Sequence, residues 1–150
     1  MKIFEKLAKD ELQLLLDAPI LVTILIGGAD GNLDEDEISW GSKLAHIRSN
    51  TKNSFLQDYY EMAAENFETR LDEIVKTFPE DTEERNEEIS EILSNLNETY
   101  KKLDRNFVEE LNKSLRSFAH QVAESSGGIL GFGAESYQEH QWVDLSMLKK

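Results

Sequence analysis

Residues 18 to 26 read APILVTILI, nine positions in which Thr23 is the only polar side chain. A helix lying on a surface needs one polar face, and this run has none, so it has to be enclosed by the rest of the chain. It cannot cross a bilayer either. The apolar stretch from Ala18 to Ala29 is twelve residues, against the roughly 20 that a spanning helix requires. Asp17 is positioned as an N-cap and Pro19 falls in the first turn, where its missing N–H costs nothing. The spacing therefore predicts a buried helix from about Ala18 to Ile26, loosened at its end by Gly27 and Gly28.

Helical spacing continues along the chain, and period-2 alternation is absent. Asp34 is placed to cap a helix to about Arg48 that turns Ile38, Leu44, Ala45 and Ile47 inward, with SNTKNS as the following turn. Leu56, Tyr60, Ala63, Phe67, Leu71, Ile74 and Phe78 are spaced 4, 3, 4, 4, 3 and 4 apart, one stripe on a long helix that Pro79 stops. Because Tyr59 and Tyr60 are adjacent, one of them is expected to point away from the core. A second stripe runs from Ile89 to Val122, with a bend or break expected near Asp104. Charge clusters such as TEERNEE read as solvated helix faces. Ser136 and Glu139 form a capping box for a last helix through Trp142 and Leu145. The expected fold is all-α, a compact multi-helix bundle with long central helices; 150 residues at 39% hydrophobic content support one domain, 1–150, with a real core.

Charge and composition exclude several functions. Thirty acidic residues against sixteen basic ones leave a net charge of -14, which repels phosphate backbones and anionic membrane surfaces. Nucleic-acid binding and membrane insertion are not expected. Cysteine is absent, which removes disulfides, thiolate metal sites and thiol catalysis. MKIFEKLAKDELQLLL breaks its apolar residues with charges and lacks a signal-peptide core, so a cytoplasmic location is expected. His46, His120 and His140 have neither HExxH nor ExxH spacing, and no GxSxG, GxGxxG after a strand or GxxxxGK loop occurs. With no nucleophile and base to nominate, the chain is not expected to be an enzyme.

The buried run empties into GGADGNLDEDE, where Asp30, Asp34, Glu35, Asp36 and Glu37 crowd a short loop and the next helix start. An EF-hand loop with Gly31 at its sixth position gains Asp30, Asp34 and Glu37 at positions 5, 9 and 12. Ile26 and Gly28 then occupy positions 1 and 3, so a standard EF-hand is rejected. Two readings remain: the carboxylates favour a helix N-terminus by charge and capping alone, or Asp30, Asp34 and Glu37 bind Ca²⁺ or another divalent cation weakly.

Ala29-Asp30-Gly31-Asn32-Leu33-Asp34-Glu35-Asp36-Glu37 after a hydrophobic helix resembles the tellurite-resistance TerB-like family. That resemblance implies two related helix-loop-helix halves, acidic metal-binding loops and a bacterial stress or tellurite-resistance setting. The second half is represented by Val122 to Leu130 before Ser136 and Glu139; no Asp precedes Gly127 and LGFGA is inserted, so only the first loop is expected to hold a cation. In the apolar segment between them, Ile129, Leu130 and Phe132 either close the core or form a docking surface for another protein, with Trp40 and Trp142 able to join either. Homo-oligomerisation stays open. The alternative to cation binding is a structural or scaffolding interaction module with no metal site.

Overall fold

The computed structural model describes residues 2–28, 35–52, 55–127 and 142–148. Among them the fold is all-α: a short 3-10 turn at Lys2–Phe4, then α1 (Lys9–Gly27), α2 (Glu35–Ser49), α3 (Gln57–Ala64), α4 (Phe67–Val75), α5 (Thr82–Ser94), α6 (Leu96–Tyr100) and α7 (Arg105–Gly127). No strand occurs among the described residues. The enclosed helix is α1, and every other helix packs against it. Its residues from Asp17 to Gly27 are all buried, as an all-round apolar surface demands.

This helix starts at Lys9, a turn or more before the expected N-cap at Asp17. Glu11 and Ala8 supply the start, the Glu11 carboxylate accepting from the Ala8 N–H at 2.9 Å. Pro19 consequently lies inside the helix, where its lack of an N–H deprives the Leu15 carbonyl of its i+4 donor. Tyr59 fills the vacancy: its hydroxyl donates to Leu15 O at 2.6 Å in a buried position. Asp17, rather than capping, faces α4 and accepts from Arg70 Nη2 at 3.0 Å, Arg70 Nε at 3.3 Å and Gln13 Nε2 at 2.9 Å.

The stripe from Leu56 to Phe78 faces the core as expected, with Leu56 through Ile74 buried, but it belongs to two helices. Asn66 adopts φ 58° and ψ 29° and separates α3 from α4. Tyr59 and Tyr60 are both buried, which corrects the expectation that one is exposed. The reason is that α3 is wedged between partners: Tyr59 reaches α1, whereas Tyr60 shares a hydrogen bond of 2.6 Å with Ser114 of α7. The break near Asp104 is present, and Asp104 Oδ2 accepts from the Phe107 N–H at 3.2 Å to start α7. Asn95 adds a second interruption between α5 and α6.

Trp142 is helical, but residues 143–148 run in turns, so the expected last helix does not continue through Leu145. Leu145 has φ 47°, an uncommon backbone state for a leucine. Its side chain is fully buried beside Val143 and Leu148, and burial of roughly 1.5–3 kcal/mol for such a side chain offsets the local backbone cost.

Candidate functional site

The two ends of the acidic segment are held firmly. At the exit of α1, the Gly28 N–H donates to Ile24 O at 2.9 Å, and the buried guanidinium of Arg85, from α5, donates through Nη2 to the Gly28 carbonyl. A Cβ at Gly28 would lie 2.5 Å from that nitrogen, so glycine here admits the approach of Arg85. At the other end, α2 presses its early turns onto α1: a Cβ at Gly41 would meet Thr23 Oγ1 at 2.5 Å and Cγ2 at 2.8 Å. Thr23 is itself fixed, its hydroxyl donating to Pro19 O at 2.8 Å. Glu35 and Asp36 are exposed at the start of α2.

Asp30 and Asp34 lie outside the described residues, as does the side chain of Glu37. Ile129, Leu130 and Phe132, the candidate docking residues, also lie outside them. Among the described residues no group of three or more His, Asp or Glu side chains is arranged to hold a metal ion. What the described frame contributes is a rigid stem and a buried cation, Arg85, at its base.

Arg85 belongs to TEERNEE, which reads as a solvated face. Glu83, Glu84, Glu87 and Glu88 are exposed, yet Arg85 and Asn86 are buried against the core. The signal was positional: Arg85 stands four residues before Ile89 and eight before Leu93, one turn back along the same stripe.

A second polar centre forms where α2, α3 and α7 meet. Arg48 Nη1 donates to Tyr60 Oη at 2.9 Å and to the Ser114 carbonyl and hydroxyl, each at 2.7 Å. Its Nη2 donates to Gln121 Oε1 at 3.0 Å and Ser117 Oγ at 3.3 Å. The guanidinium carbon sits 5.3 Å from the Tyr60 ring centre and 5.2 Å from that of Phe118, within cation–π range. All of these acceptors are neutral, and the arrangement ties three helices together. Ser114 and Tyr60 are engaged with each other and with Arg48, and neither lines a cavity described here.

The surface offers two further features. Trp40 and Ile47, one heptad apart on the outer side of α2, are exposed at 36% and 54%, and Phe55 beyond them at 60%. Trp142 is half-buried against the core. Between α6 and α7 an open cleft of about 830 Å³ is floored by Tyr100, Leu103, Val108 and Asn112; the Tyr100 hydroxyl donates to Asn112 Oδ1 at 2.8 Å. No helix among the described residues is long and apolar enough to cross a membrane. Comparison of the chain with protein-family models, curated proteins and solved structures gives no match.

Proposed function

We propose that this chain is a non-catalytic, TerB-like cytoplasmic binding module whose acidic segment between α1 and α2 takes a divalent cation through Asp30, Asp34 and Glu37. The observation that supports this reading is the anchored stem: Gly28 bonded to Ile24 and Arg85 at one end, and Gly41 seated on Thr23 at the other. A short segment dense in carboxylates between fixed ends loses less entropy on closing around an ion than a free loop does. The stress or tellurite-resistance setting rests on the resemblance carried by Ala29 to Glu37. With half of an EF-hand ligand set missing, Ca²⁺ affinity is expected on the order of 10⁻⁴ to 10⁻³ M. Calorimetric titration of chelator-treated protein with Ca²⁺, Mg²⁺ and Zn²⁺ tests it. Saturable heat that Asp30→Asn removes supports the site; no heat and no thermal shift at millimolar ion defeats it.

The second reading, a helical protein-interaction module with no metal site, is favoured by Trp40 and Ile47 on the open side of α2. Under that reading Trp40→Ala leaves the melting temperature nearly unchanged but abolishes partner engagement, and ion titrations are silent.

A further inference from the structure

We infer that the cleft between α6 and α7 binds an organic anion, a phosphate or carboxylate head carried on an apolar body. The inference is independent of the cation reading, which concerns another part of the molecule. In a chain with net charge -14, four cationic side chains, Lys101, Arg105, Lys113 and Arg116, line one cleft together with the carboxylates Glu98 and Glu109, and a third carboxylate, Glu110, stands beside Lys113. At physiological ionic strength fields decay over about 8 Å, so this local excess, rather than the distant acidic surface, governs what enters.

The cations are available to a ligand. Lys101 pairs with Glu98 at 3.0 Å, Arg105 with Glu109 at 3.5 Å and Lys113 with Glu110 at 3.7 Å, all through side chains at least half exposed. Such exposed surface pairs contribute little, and a head group that accepts charged hydrogen bonds in a partly enclosed site displaces them readily. Arg116 is held differently, donating from Nε to Asp144 O at 2.9 Å and from Nη2 to Leu148 O at 2.8 Å. It is fixed in place by neutral carbonyls, which leave its positive charge uncancelled in the lining of the cleft. Burial and hydrogen bonding settle the floor, where Tyr100 and Asn112 bond to each other and Leu103 and Val108 offer apolar surface. Cationic groups above an apolar floor suit an amphipathic anion, and the volume of about 830 Å³ lies within the range of small-molecule sites.

The test is calorimetric titration of the full chain with octyl phosphate and octanoate, below the concentrations at which they form micelles, alongside inorganic phosphate and octanol. Either amphiphile should bind saturably at one site, weakening as salt is raised, while inorganic phosphate and octanol give at least tenfold weaker binding. The double variant Lys101→Gln/Lys113→Gln removes two exposed cations without touching the core and should weaken binding tenfold or more. Val108→Asp, which places a carboxylate on the floor, should abolish it, with circular dichroism verifying that both variants are folded. No saturable binding of either amphiphile overturns the inference. Binding that survives in the folded variants overturns it as well, because the ligand then occupies another surface such as the Trp40 and Ile47 face.

Discussion

The Tyr59 hydroxyl donates to the Leu15 carbonyl, the acceptor that Pro19 leaves without a helical donor. A proline inside the central helix is thus accommodated by a side chain 44 residues beyond the carbonyl it would have left unmet. Tyr59→Phe removes that donor and leaves a buried carbonyl unmet, at a cost of about 1–3 kcal/mol in urea unfolding. In a Pro19→Ala background the helix supplies its own N–H to Leu15, and the same substitution should cost less than half as much. Equal costs in both backgrounds would show that the hydroxyl does not replace the missing backbone donor.

Where this arrangement was legible, and where it was not, follows from what periodicity reports. APILVTILI announces burial on most sides, and α1 is the helix against which all the others pack. The stripe from Leu56 to Phe78 identifies which residues face inward but not the interruption at Asn66, because the four-residue step from Ala63 to Phe67 keeps the hydrophobic phase across it. Tyr59 escaped the same argument because a stripe describes one neighbour, whereas α3 has neighbours on two sides. Arg85 was hidden by the charges around it. The stem of the acidic segment depends on Gly28 and Gly41 admitting side chains from α5 and α1, a tertiary fact that no local pattern contains.

Asn66 gives the second prediction. Its φ of 58° is strained for most side chains and tolerated by asparagine and glycine. Asn66→Gly should leave stability within a few tenths of a kcal/mol or raise it slightly, and Asn66→Ala should lower it by about 1 kcal/mol. Equal denaturation midpoints for the two variants would remove the backbone explanation for the break between α3 and α4.

Two tyrosines should resist alkali. Burial, reinforced by Tyr60, Tyr100 and Asp17, pushes the Tyr59 phenol well above its ordinary value of 10.0, and burial also raises Tyr100 although Arg116 acts against it. The folded state therefore keeps protons that the unfolded chain releases above pH 10.0, so stability falls as pH rises past that point. Tyrosinate absorbance should show Tyr59 and Tyr100 ionising only as the protein unfolds. Smooth titration of all four tyrosines with the fold intact would contradict their burial.

An acid-side effect is expected at the start of α1. Hydrogen bonds from Lys102 at 2.8 Å and from the Ala8 N–H at 2.9 Å hold the Glu11 carboxyl below its ordinary value of 4.5. A depressed carboxyl stabilises the fold fully above 4.5 and loses that contribution as pH falls through its folded value. Glu11→Gln should melt below the wild type at neutral pH, and the gap should close in stronger acid. A gap that persists unchanged at low pH would assign the difference to geometry rather than charge.

Because α1 is surrounded by helices that follow it in the chain, its order of synthesis sets a problem of timing. Gly27 leaves the ribosome 100 residues before Gly127, the end of the helix whose aromatic and aliphatic side chains cover α1. At about 5–20 residues per second, the segment APILVTILI waits roughly 5–20 s without its final cover. During that interval the nascent chain presents a nine-residue apolar segment to its surroundings, so the central helix of the finished fold is also the stretch with the greatest demand for a chaperone while the protein is being made.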